Sequence, residues 1–352
     1  MMRTRLPRTD RVVDLTRLER AEARRRRRRL GAAVLAALVG AGVAAAAFAL
    51  TRDGSSPDGA PLGVRRLTVL LVRGGAEPLF AVVGEGAGGG PAAVVIPAAT
   101  VAVLPGYGEG RLGEAARLDG AAMRIAVSNL LGAWAEHYAV LDLSRVARLA
   151  GRMGGLEVRL ASGHASLTGP EIERLLGREH GDAAARWGAV LEGLLEGPVA
   201  VRPADLLDAD DQEAVHDALA GAKGAGVEVL PTERGAGALL RPDLDATTAL
   251  LATSFGIEGA PVPVIVENGS GAPGVGEAVA ERLVPAGYRI VVSGNAESFD
   301  VSTTAIVASE PADEAEARRV RHLLGVGVVV VSRVPSGLGD VTIVVGEDFA
   351  NG

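Results

Sequence analysis

Five histidines could carry proton transfer or hold a metal ion, but His137, His164, His180, His216 and His322 are scattered without metal-ligand spacing. Ser128, Ser144, Ser162 and Ser166 lack the G-x-S-x-G frame that lifts a nucleophile out of a strand–helix turn. The chain has no cysteine, which removes thiolate nucleophiles, thiolate-bound metals and disulfides together. The glycine run Val83-Gly-Glu-Gly-Ala-Gly-Gly-Gly-Pro91 lacks the Gly-Lys-Ser/Thr ending of a phosphate loop and its strand–loop–helix setting, so it reads as the loop of a β-hairpin. Asp208, Asp210 and Asp211 fall in a helical pattern, where a solvated face is the plain reading and an ion site the alternative. The turn Asn268-Gly-Ser-Gly271 is explained by turn chemistry, and it is also placed to touch a glycan or a peptide.

These residues must be positioned by an α/β fold. Short apolar runs at 67–72, 79–83, 92–96 and 101–104 predict strands. The spacing of Met123, Ile125, Val127, Leu130 and Leu131 predicts a helix over 120–131. A strand at 138–141 follows, then a helix carrying Val146, Leu149 and Met153, which Asp142 or Ser144 would cap and Gly154-Gly155 would end. Leu156–Leu160 reads as a strand. Thr168 with Glu171 forms a capping pattern ahead of a helix to Leu176. Helices are expected at 183–195, at 205–220 and at 243–254, with a strand at 227–230. A Gly/Pro linker at 256–263 then opens a second unit of order β-turn-α-β-β-α-β-β, closed by Val341–Val345.

The amino-terminal region carries a different signal. Leu30–Leu50 is an uncharged run of 21 residues. As a helix rising about 1.5 Å per residue it would span a bilayer's hydrocarbon core of roughly 30 Å. Residues 1–29 hold 12 arginines against Asp10, Asp14, Glu19 and Glu22, a net of +8, in a chain of formal charge −7. Positive flanks stay cytoplasmic, so the expected topology is a basic cytoplasmic tail (1–29), a single-pass anchor in the cell membrane (30–50), a Gly/Pro/Ser/Asp linker (51–64) and acidic extracytoplasmic domains. Ala47-Phe48-Ala49 has the form of a cleavage site, but the apolar run exceeds the usual signal-peptide length, so a retained anchor is favoured. The tail is too short for a helix-turn-helix and carries no nucleic-acid motif, so no nucleic-acid partner is expected. Aromatics are only 3% of the chain, so stacking platforms are scarce.

Two stretches resemble known families. Residues 65–256 resemble the LytR–CpsA–Psr (LCP) core through Val94-Val-Ile-Pro-Ala-Ala-Thr100, Asn129-Leu-Leu-Gly132 with Glu136-His-Tyr-Ala-Val-Leu-Asp142, Arg148-Leu-Ala-Gly-Arg-Met-Gly-Gly-Leu-Glu-Val158, and Leu167-Thr-Gly-Pro-Glu171 leading to Arg178-Glu-His-Gly-Asp182. Residues 262–350 resemble the LytR C-terminal domain through Val266-Glu-Asn-Gly-Ser-Gly-Ala-Pro-Gly274, Gly287-Tyr288, Gly294-Asn-Ala296 and Val341-Thr-Ile-Val-Val-Gly-Glu-Asp-Phe349. The resemblance implies a central mixed sheet in the first domain. It also implies an enzyme that moves a glycopolymer phosphate from a polyprenyl-pyrophosphate lipid to a wall acceptor such as peptidoglycan, with magnesium as the usual cation.

The chain departs from the LCP pattern at its chemical centre. The family's Pro-Arg-Asp-Thr arginine and aspartate fall on Ala98 and Ala99. In the early loop only Arg73 and Glu77 stand in for the family's charged residues. Arg186 keeps the first half of a later Arg-x-x-Arg-Gln pattern, with Ala189 and Val190 in its second half. Arg178 is in place, and His180 stands where an arginine is common. The expected lipid-phosphate contacts are therefore Arg178, Arg186 and Arg73, with Glu77 as a metal or acid group. An arginine that stabilises a transferring phosphoryl group is worth roughly 10³–10⁵ in rate. Losing one together with a carboxylate predicts a degenerate domain that binds or scaffolds wall polymer or envelope proteins. An active transferase with a rearranged site and magnesium is the alternative.

Overall fold

The computed structural model describes residues 67–178, 182–197, 205, 208–235, 238–332 and 337–351. The expected tail, anchor and linker all lie outside the described residues. Among the described residues no helix is long and apolar enough to cross a membrane.

The first domain runs β1 (Leu67–Arg73), β2 (Leu79–Glu85), β3 (Pro91–Ile96), β4 (Val101–Leu104), β5 (Gly108–Arg111), α1 (Leu112–Ala115), α2 (Gly120–Leu131), β6 (His137–Asp142), α3 (Leu143–Arg152), β7 (Leu156–Leu160), β8 (Gly163–Leu167), α4 (Gly169–Leu176), α5 (Ala183–Glu196), β9 (Asp208–Ala209), α6 (Gln212–Gly221), β10 (Gly226–Val229), β11 (Thr232–Arg234), β12 (Leu240–Pro242) and α7 (Leu244–Phe255). Its main sheet has the order β10-β3-β2-β1-β6-β9. The pairs β1–β6 and β10–β3 are parallel, and β2 is antiparallel to both β1 and β3. Strands β1, β3, β6 and β10 therefore run the same way and end at one edge.

Covered on both faces, β1 and β3 read as near-continuous apolar runs. Leu70 and Val72 face a core shared with α3, α4, α5 and α6. Leu67, Val69 and Leu71 face a second core with α2 and α7. The hairpin β2–β3 is closed by the glycine run, as expected. Thr168 and Glu171 form the predicted capping box of α4.

The expected helix over 205–220 is corrected. The helix begins only at Gln212, and Asp208–Ala209 is a short strand beside β6. Aspartates compete with helical hydrogen bonds and favour caps. Asp211 caps α6 by accepting from the Glu213 and Ala214 amides, while Asp210 accepts from the Tyr138 amide at 3.0 Å.

The second domain comprises β13 (Val262–Asn268), α8 (Val275–Leu283), β14 (Tyr288–Asn295), β15 (Ala305–Ala308), α9 (Glu314–Leu324), β16 (Val328–Val331), β17 (Val341–Val345) and α10 (Glu347–Ala350). The predicted order is reproduced, in a five-stranded sheet β14-β13-β17-β15-β16 with its own core. Inside it, the Tyr288 hydroxyl donates to Glu316 at 2.7 Å. Burial, and then that carboxylate, raise the phenol's pKa. Above about pH 10 the unfolded phenol ionises and the folded one does not, so the folded state binds more protons and stability falls as pH rises. Urea titrations between about pH 9 and 11 should show this slope in the native protein and a shallower one in Tyr288→Phe.

Candidate functional site

The loops after β1, β3, β6 and β10 meet at one sheet edge, where open α/β sheets commonly place ligands. The expected site residues lie around it. Arg73 ends β1 in register with Asp142 at the end of β6. Its side chain continues the Leu67/Val69/Leu71 face and donates to the Leu118 carbonyl at 3.2 Å. Glu77 is exposed in the next loop. That loop lies against α4, since a side chain at Gly75 would come within 3.3 Å of the Leu176 carbonyl.

Arg178 is exposed just beyond α4, and Arg186 sits in the first turns of α5. Arg186 donates to the Arg178 carbonyl at 3.0 Å. The structure thus brings Arg178, Arg186 and the Glu77 loop together on the α4–α5 side. Arg73 is held on the opposite face of the sheet, toward the second core.

Ala98 and Ala99 follow β3. The Ala98 carbonyl accepts from the Gly113 amide at 2.8 Å, and the Ala99 carbonyl accepts from the Leu240 amide at 3.0 Å. The segment is clamped by its backbone from two sides, and its two methyl groups bring neither charge nor hydrogen bond to the edge. Asp142, expected as a helix cap, stands at the N-cap of α3 without a side-chain cap hydrogen bond and is a carboxylate near the edge that the sequence reading did not single out as a site residue. Among the described residues no three His, Asp or Glu side chains gather as a metal site. Asp142 and Glu77 have no third carboxylate or histidine gathered with them among the described residues, so this donor set does not fit a resident magnesium ion.

A second constellation lies where the domains meet. Asn129 of α2 is buried, with 1% exposure. Its amide donates to the carbonyls of Val103 (3.1 Å) and Ile290 (2.9 Å), and its oxygen accepts from the Ile290 amide at 2.7 Å. Arg289 donates to the Leu131 carbonyl at 2.9 Å, and burial lowers its pKa to about 10. Gly132 caps α2 at φ +68°, and a side chain there would run into Pro261 and Arg289. Ile125 of α2 belongs to the second domain's core. Arg124 stacks on Trp134 at 4.4 Å and meets Glu281 of α8. The motif Asn129-Leu-Leu-Gly132 is therefore an interdomain joint.

Residues 261–349 match the family described as LytR cell envelope-related transcriptional attenuator. These residues are a LytR C-terminal domain. The fold ahead of it is similar to that of LCP proteins. One similar structure is a transcriptional regulator from Enterococcus faecalis, 15% identical, with a TM-score of 0.46 over 55% of this chain and 88% of that one. A LytR-Csp2A-Psr enzyme from Actinomyces oris is 14% identical, TM-score 0.43, over 58% and 95%. The LytR-CPS2A-psr family protein TagT with bound octaprenyl pyrophosphate lipid is 13% identical, TM-score 0.43, over 56% and 91%. No curated protein matches the sequence. The LytR C-terminal domain thus docks by β14 onto α2 and the β4–β5 hairpin of the first domain.

Proposed function

We propose that this chain is a membrane-anchored cell-envelope protein whose degenerate LCP-like domain holds lipid-linked wall glycopolymer, or partner envelope proteins, without efficient transfer. The observation that carries this reading is the pair Ala98 and Ala99 at the end of β3, where the family pattern has an arginine and an aspartate. Arg178 and Arg186, gathered beside the Glu77 loop, supply positive charge for a pyrophosphate. Arg73 is turned to the far face and adds nothing to that pair.

The test is binding and turnover on one preparation. The full-length chain should bind a polyprenyl pyrophosphate. Arg178→Ala and Arg186→Ala should each weaken that binding roughly tenfold, the worth of a charge-assisted hydrogen bond. Release of polyprenyl phosphate at the rate of family enzymes would sink the reading.

The second reading is an active LCP-type phosphotransferase with a rearranged site. The contact between Arg186 and Arg178 favours it. It requires Glu77→Ala to abolish turnover.

A further inference from the structure

The LytR C-terminal domain carries a cleft of about 240 Å³ at the carboxyl ends of β13 and β14. Asn268, the loop 271–274, the first residues of α8, Ser293–Asn295 and Phe299 line it, and Gly106 of the first domain completes the wall. The Gly106 amide donates to the Ser293 hydroxyl at 2.9 Å. A side chain at Gly276 would overlap the Gly106 backbone, so the two domains meet there glycine against glycine. The cleft is part of the joint.

The spacing Gly269-x-Gly271-x-x-Gly274, set between a strand and a helix, invites comparison with phosphate-cradling loops. The hydrogen bonds rule against that ligand. Asn268 already accepts from the Ser270 and Gly271 amides, the Ser270 hydroxyl accepts from the Ala272 amide, and the Gly269 amide donates to the Val345 carbonyl. No lining residue carries a charge. The ligand that fits is neutral.

Aromatic side chains narrow the class. The chain is only 3% aromatic, and most described aromatics are in the cores. The two exposed ones are Phe299 at 51% and Tyr107 at 59%. Phe299 lines this cleft, and Tyr107 follows Gly106, which lines it. Phe299 is braced against Gly271, where an added methyl would touch its Cβ and its ring Cγ at 3.2 Å. Tyr107 lies against Glu277 of α8. Asn295 is exposed in the cleft wall, and its side-chain amide can both donate and accept. A fixed aromatic face beside an uncharged amide suits a ring with apolar C–H faces and hydroxyl edges. The volume is below the ~300–1,000 Å³ of pockets for drug-sized ligands, so one ring is held at a time.

We propose that this cleft binds one sugar ring of a neutral saccharide. It stands apart from the sheet edge of the first domain, so it holds whether or not that edge takes a lipid phosphate. The test uses the full-length chain in a detergent without a sugar headgroup. It is titrated calorimetrically with chitotetraose, cellotetraose and maltotetraose, and with tetraalanine as the peptide comparison. At least one saccharide should bind with a Kd on the order of 1 mM. Phe299→Ala should weaken it about fivefold or more, as loss of one stacking platform does. Phe299 is exposed, so the variant should keep the parent Tm. Silence from all three saccharides up to about 10 mM would overturn the proposal, as would binding of tetraalanine alone. Saccharide affinity indifferent to Phe299→Ala in a folded variant would overturn it too.

Discussion

Asn129→Ala is expected to lower the unfolding free energy by roughly 2–4 kcal/mol and the Tm by on the order of 5–10 °C. Three hydrogen bonds converge on this buried side chain, two of them fully buried. Truncation leaves the Ile290 amide and the Val103 carbonyl without that partner in a place water does not reach, which costs more than the net worth of a hydrogen bond. Asn129→Asp should be worse than alanine near neutral pH, although it is the closest in shape. It would press a carboxylate against two carbonyl oxygens inside the joint. Burial would hold its pKa high, so the folded state would bind the extra proton, and the variant should recover stability as pH falls. Calorimetric melting at two pH values checks both variants. Melting of Asn129→Ala at the parent temperature would mean that the joint contributes nothing.

Restoring charge at the end of β3 should produce the largest change in activity. The double variant Ala98→Arg, Ala99→Asp is expected to raise release of polyprenyl phosphate by roughly 10³-fold or more over the parent, the scale of one transition-state arginine. Both positions are partly exposed, so longer side chains have an outlet. Their backbone hydrogen bonds to Gly113 and Leu240 involve carbonyls alone and survive substitution. A folded double variant as inert as the parent would show that the alanines are not what limits transfer. A parent that already turns over rapidly would show the same.

Much of the fold was legible in the sequence because its signals are local. The capping box at Thr168 and the glycine pair Gly154-Gly155 after α3 are written within a few residues of where they act. The inner strands β1, β2, β3 and β6 of the main sheet announced themselves by apolar runs, as burial on both faces requires. The stretch from Asp205 misled because apolar spacing continued across aspartates that serve as a cap and a sheet-edge acceptor. The strands β5, β8, β11 and β12 were passed over because each is only three to five residues long, and β5 carries no apolar side chain. At the candidate site, the residue types were legible and the sides were not. Arg73 lies on the far face through strand parity and the Leu118 carbonyl, a contact made over 45 positions. The role of Asn129 was hidden for the same reason. Its partner Ile290 is 161 residues away, and the motif around it reads equally well as an ordinary helix end.

The buried joint has a mechanical consequence. With α2 lending Ile125 to its neighbour's core and Asn129 bolted to β14, the two halves cannot hinge without exposing oil and breaking buried bonds. A polymer touching both the sheet edge and the saccharide cleft would thus be gripped at one preset gap. The molecule would act on such a strand as a fixed calliper, choosing by the spacing between two points along it.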